Sequence, residues 1–212
     1  MSTTADAATP VVHVAVYDTL ADWETGHATA HLTQRGHTVR TVALDPDRTV
    51  TTMGGLRVTP DMALADLDPA DSALLILPGA QLWDTGEDLA PFAEKARAFL
   101  DAGVPVAAIC GATAGLARAG ILDKRAHTSG AAEYLAAQPG YTGGDLYVEA
   151  DAVTDGDLVT AGPTDPVAFA REIFARVEAY DAEVRDAWFR LFHDSDPSAF
   201  PVLMAAAEEG RA

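Results

Sequence analysis

Cys110 is the one cysteine of the chain, and it stands where a thiol can be made to react. In VPVAAICGATAGLA (104–117) an apolar strand of the buried type runs straight into it, Gly111 follows, and a helix of small residues begins at once. Such a strand-to-helix elbow forces its apex residue into strained backbone geometry and lifts the side chain above the carboxyl edge of a sheet. The helix N-terminus beneath the sulfur adds partial positive charge, which predicts a thiol pKa below about 8.5. The competing reading is a small buried hydrophobe. A second loop, in LLILPGAQLWD (74–84), ends another buried strand at the same edge. The amides of Gly79, Ala80 and Gly111 would converge there as an oxyanion hole, with Trp83 as a pocket wall, unless the loop is an ordinary turn. Glu24 follows the first strand; held protonated by burial, its carboxyl would hydrogen-bond the sulfur and relay protons. Asp22 reads as a helix cap or first-turn acid, and His27, one turn beyond Trp23, either lines the same pocket or packs.

These groups need a scaffold that brings strand ends together. VVHVAVY (11–17) is nearly all apolar and β-branched, and Asp22 to Arg35 carries helix-spaced apolar positions closed by Gly36. The order repeats: strand 37–44, a turn-rich excursion through Met53-Gly54-Gly55, strand 73–77, helix 89–102, strand 104–109, helix 113–119. Alternation of this kind specifies a doubly wound, mainly parallel α/β sheet sandwiched by helices, of the flavodoxin-like sort. Past residue 125 a hairpin is expected over 146–160, turning at Asp155-Gly156, then a helix over 166–180. Residues 1–10 read as a disordered leader, 11–180 as the domain, and 181–212 as a C-terminal helical tail. The tail's Trp188, Phe189, Phe192 and Phe200 must pack on the domain or on a second copy of it.

With 14 Lys+Arg against 32 Asp+Glu the net charge is −18, and no basic cluster offsets it. Nucleic acid and anionic membrane surfaces are therefore poor partners, and a small-molecule substrate is the better expectation. A single cysteine excludes an internal disulfide and any multi-cysteine zinc site. No apolar run spans a bilayer and the start lacks the regions of a secretory signal, so a cytoplasmic protein is expected.

The stretches DWETGHATAHLTQRGHTV, MGGLRVTPDMAL, LLILPGA, VPVAAICGATAGLARAGILDKRAHTSG and DGDLVTAGPTDPVAFAREIF, in that order, resemble the ThiJ/PfpI family. That family lies within the class I glutamine-amidotransferase-like superfamily and includes the Parkinsonism-associated protein and its bacterial relatives. The resemblance covers residues 11 to 178. It implies Cys110 as elbow nucleophile, Glu24 as its acid partner, Gly79, Ala80 and Gly111 as amide donors, and a homodimer with its interface near the site. Similar members have been assigned as glyoxalases, deglycases, chaperones, peptidases or isonitrile hydratases, so the family does not select a reaction. Many members carry a histidine as third partner where this chain has Ser129; His127 lies two residues earlier, on the same face of a strand, and is the candidate replacement. No His-x-Glu pair follows Cys110, which argues against glutamine hydrolysis. The expectation is a thiol enzyme acting on a small electrophile, needing no metal or organic cofactor. Its rivals are a redox-sensing or stress-holding protein using the same cysteine, and a binding scaffold.

Overall fold

Three strands in the middle of the sheet contain no exposed position, which is why their sequences lack the polar alternation of a one-sided sheet. We describe residues 11–86 and 88–209 of a computed structural model; the expected leader, 1–10, lies outside them. In chain order the elements are β1 (Val11–Ala15), α1 (Asp22–Gln34), β2 (Thr38–Ala43), β3 (Val50–Thr51), β4 (Arg57–Val58), β5 (Met62–Ala63) and β6 (Leu74–Leu77). There follow α2 (Leu82–Thr85), α3 (Ala90–Asp101), β7 (Val106–Ile109), α4 (Gly111–Arg118) and α5 (Ala132–Ala136). The chain continues through β8 (Ala152–Asp155), β9 (Leu158–Ala161), α6 (Pro166–Arg176), α7 (Ala182–His193) and α8 (Phe200–Glu208).

The main sheet has seven strands in the order β5-β2-β1-β6-β7-β9-β8, parallel except for the β8–β9 hairpin. Winding runs outward in one direction from β1 to β2 and in the other from β6 to β7 and β9. The strand order therefore switches between β1 and β6, and the crevice at their carboxyl ends is where such sheets hold ligands. One face of the sheet is covered by α3 and α4, the other by α1 and α6, with α7 packed on α6 and α8 on α7. This is the expected doubly wound sandwich with a helical extension. Gly36 and Gly103 close α1 and α3 at φ 83° and 72°, a backbone region that costs a residue without Cβ nothing.

Several expected boundaries move. The hairpin starts at Ala152; residues 146–148 instead bridge to His127, whose N–H donates to Leu146 O and whose carbonyl accepts from Val148 N. The helix after the elbow begins at Gly111, because Cys110 makes the whole turn by itself.

Trp188 docks the tail on its own chain. It is 1% exposed, edge-on to Phe174 at 4.9 Å, and its indole N–H donates to His31 Nε2 at 3.0 Å. An indole nitrogen only donates, so His31 Nε2 must carry a lone pair and Nδ1 the proton, which goes to the Tyr180 hydroxyl at 3.0 Å. Burial and neighbouring His27 hold the His31 pKa below its ordinary value. Protonating His31 sets two donors against each other, so its stabilising contribution is present above the unfolded value of about 6.5 and is lost as pH falls through the lower folded value. Thermal melts from pH 7.5 to 5 should show a His31→Leu variant lacking this loss, the difference between variant and wild type shrinking toward acid. Parallel profiles would mean that His31 is not the titrating group.

Candidate active site

Cys110 sits at φ 57°, ψ −128°, a left-handed conformation that a residue with a β-carbon adopts only under constraint. The constraint comes from both sides: its N–H donates to Ala161 O on β9, and its carbonyl accepts from the Thr113 hydroxyl at 2.6 Å. The side chain is half-buried and lines a pocket of about 310 Å³ over the sheet edge. Glu24, from the first turn of α1, is fully buried beside it.

Gly79 makes the meeting possible. A β-carbon there would lie 2.7 Å from Cys110 Cβ and 2.9 Å from both Cys110 Sγ and Glu24 Oε1, so only glycine fits between the two functional groups. Its N–H donates to Glu24 Oε2 at 2.5 Å. Oε1 is buried without a hydrogen-bond partner of its own, and the Cys110 thiol acts on the carboxyl to favour its charged form. The carbonyl of the same peptide unit, Pro78 O, points the opposite way, as a trans peptide requires. It accepts from the Tyr17 hydroxyl and from Trp83 Nε1 at 3.1 Å. A buried phenol and a buried indole thus fix the peptide whose amide holds the catalytic candidate Glu24.

Burial raises Glu24 from 4.5 to about 7, against the pull of the Gly79 amide. Burial and the facing Glu24 carboxylate push the Cys110 thiol up to about 12, with the Gly111 amide pulling it down. The low thiol pKa expected from the helix N-terminus alone is thus corrected: desolvation and a carboxylate at contact outweigh the dipole. Between about 7 and 12 the pair holds one proton for two basic sites.

Three further expectations are corrected. Gly79 does not offer its amide to an oxyanion, since Glu24 occupies it; Ala80 and Gly111 remain on the pocket wall. Trp83 does not wall the pocket. It is 1% exposed and lies behind the elbow, its Nε1–H shared between Tyr17 Oη and Pro78 O, because α2 turns its apolar side toward α4. His127 does not replace the missing histidine. It is fully buried against Tyr141 and Tyr147, Nδ1 donates to Arg125 O and Nε2 accepts from the Tyr141 hydroxyl, each at 2.7 Å. The segment expected as a strand makes only the bridge to Tyr147, so the same-face geometry is never built. Ser129 does reach the elbow, but through Thr113 Oγ1 at 2.7 Å rather than through the sulfur. His27 packs edge-on to Trp188 and Phe192 of the tail. Asp22 is a first-turn acid that binds Gly54 N at 2.6 Å and anchors the 53–55 loop.

The walls come from residues that motif reading passed over: Trp23, Met53, Gln81, Asp84, Tyr134 and Pro163. Trp23 is half exposed and its indole N–H reaches Pro163 O at 3.2 Å, roofing one side. Opposite, the Tyr134 hydroxyl donates to Asp84 Oδ1 at 2.6 Å. The only available signal was Trp23 beside Glu24 and Met53 inside a glycine turn. Among the described residues, no group of three or more His, Cys, Asp or Glu is arranged to hold a metal ion, and no helix is long and apolar enough to cross a membrane.

The family described as DJ-1/PfpI matches residues 11–176. The uncharacterized protease YoaZ of Bacillus subtilis (strain 168) is 35% identical over 202 residues, 91% of this chain and 95% of that protein. The uncharacterized protease YdeA of the same organism is 33% identical over 165 residues, 77% and 81% of the two chains. A crystal structure of a thiJ/pfpI family protein from Bacillus anthracis superposes with a TM-score of 0.88 at 36% identity, covering 93% of this chain and 96% of the other. A DJ-1 superfamily protein from Agrobacterium tumefaciens does so with 0.80 at 34% identity, covering 88% and 99%.

Proposed function

This chain belongs to the DJ-1/PfpI family, and on that premise we propose that it is a thiol enzyme of hydrolase or lyase type, in which Cys110 adds to a small electrophilic carbon while Glu24 moves the proton. The observation that carries the reading is at Gly79, where a β-carbon would lie 2.9 Å from both Cys110 Sγ and Glu24 Oε1, so that the two groups flank a position only glycine can fill. On attack a sulfur–carbon bond forms and the π pair moves onto the substrate oxygen or nitrogen. We assign the amides of Ala80 and Gly111, both residues of the pocket wall, to receive that atom. Glu24 takes the thiol proton and delivers it to the new anion, which for an aldehyde completes a hemithioacetal; with a leaving group, collapse gives a thioester that water cleaves.

The Bacillus relatives are named proteases, which agrees with thiol hydrolysis. No histidine lines this pocket among the described residues, so Glu24 would have to protonate a departing amine itself. An electrophile that needs no such strong acid suits the site better.

Reactivity should follow the shared proton. The rate of Cys110 alkylation by iodoacetamide is expected to rise with a midpoint near 7, where the pair loses its first proton, and Glu24→Gln should move it above the ordinary thiol value of 9.0. A midpoint indifferent to Glu24→Gln would overturn the reading. Turnover of aldehydes, isonitriles or amides that disappears in Cys110→Ser would then name the reaction.

A further inference from the structure

Every ionisable group on the pocket wall is an acid: Glu24, Asp84, Cys110 and Tyr134. No lysine, arginine or histidine lines it among the described residues. Asp84 is the one of the four that stands at the mouth, exposed on α2, and the Tyr134 hydroxyl holds its carboxylate in place. Arg118 is nearby, but its guanidinium is engaged by Gln138 Oε1 at 2.7 Å and Trp83 O at 2.8 Å and does not reach the wall. We propose that Asp84 is a specificity-determining residue: it sets a charge filter over Cys110 that admits neutral and cationic electrophiles and rejects anionic ones such as carboxylates and phosphate esters.

An anionic substrate brings its charge past the Asp84 carboxylate toward a thiol–carboxylate pair that already carries one negative charge, and nothing on the wall compensates it. In a partly desolvated pocket, like charges a few ångströms apart repel far more than in bulk water. The field of Asp84 reaches the sulfur itself, raising the cost of ionising it. Cationic electrophiles are attracted by the same field, and neutral ones are unaffected. The inference rests on the proposed thiol reactivity of Cys110 and adds the class of molecule that can reach it.

The test uses iodoacetamide and iodoacetate, which differ in charge and share one reaction. In each, sulfur displaces iodide from the methylene carbon, the C–I pair leaves as iodide, and the thiol proton passes to Glu24 or solvent. Because Cys110 is the sole cysteine, the urea-denatured chain, with the same net charge, supplies the reference ratio of the two rates. Folded wild type should favour iodoacetamide about tenfold more than the denatured chain does, a preference that shrinks with added salt. Asp84→Asn should bring the ratio to within about threefold of the reference, and Asp84→Lys should reverse it. Asp101→Asn, an equal change of net charge at an exposed site on α3, should leave it unaltered. If both reagents modify folded Cys110 at the reference ratio and Asp84→Asn changes nothing, the filter is overturned and the thiol reading stands. If neither reagent reacts with the folded chain, the thiol reading itself fails.

Discussion

Glu24→Gln should make the protein more stable above neutral pH and leave it nearly unchanged in mild acid. The carboxyl is fully buried, and burial raises its pKa from 4.5 to about 7. A folded value above the unfolded one means that the folded state binds more protons between those limits, so stability is complete below the unfolded value and falls as pH rises through the folded one. The rise from 4.5 to about 7 corresponds to a loss of about 3 kcal/mol by slightly alkaline pH. Glutamine resembles the neutral carboxyl: its amide oxygen can accept from Gly79 N, and its amide nitrogen can donate to the sulfur. Urea unfolding at pH 5 and pH 8 should therefore show wild type weakening and the variant holding steady, with m unchanged. Parallel wild-type and variant curves would place the Glu24 pKa in the ordinary range and remove the shared proton. The gain in stability should come with a loss of reactivity, since the destabilised ionised form is the one that receives the thiol proton.

This coupling explains how much of the site could be read from the chain. Cys110 and Glu24 were legible because each is fixed by local rules, a nucleophile at a strand-to-helix turn and an acid in the first turn of the helix after β1. A doubly wound sheet then brings the ends of β1, β6 and β7 together without further information. The electrostatics were not legible. The helix N-terminus is a local feature of the sequence, whereas what outweighs it is burial and the Glu24 carboxylate, which α1 brings to the sulfur beside Gly79. Trp83 was placed on the wrong side of its loop for the same kind of reason. Which side of α2 is buried depends on a gap in α4, thirty or so positions away, and no periodicity in four residues reveals it. His127 failed because a run with strand composition found only a single bridging partner. The wall residues are drawn from separate loops and helices, so no spacing in the sequence announces Asp84 opposite Tyr134.

The gap in α4 is Gly115, and Gly115→Ala should destabilise the protein by about 3 kcal/mol, against the trend for helices. In an exposed helix, alanine in place of glycine stabilises by up to about 1 kcal/mol. Here the new methyl group would fall on the six-membered ring of Trp83, 2.5 Å from Cε3 and 2.9 Å from Cη2, with Cζ3 closer still. Trp83 is 1% exposed and α4 is buried from Gly111 through Ala117, so a shift of either element gives up packing. If the indole moves, it gives up its hydrogen bonds to Tyr17 Oη and Pro78 O, worth about 1 kcal/mol each. The Pro78–Gly79 peptide then loses part of the brace that aims its amide at Glu24. A substitution behind the elbow, out of reach of any substrate, should thus shift the midpoint of Cys110 alkylation as well as lower the unfolding midpoint. Trp83→Phe removes part of the ring that the methyl group meets, so the double variant should be less destabilised than the two single effects summed, by a coupling of about 1–2 kcal/mol. It should not recover the alkylation midpoint, because phenylalanine has no N–H to give to Pro78 O. A stabilising Gly115→Ala, or effects of the two substitutions that merely add, would show that Trp83 does not transmit the packing of α4 to the active-site loop.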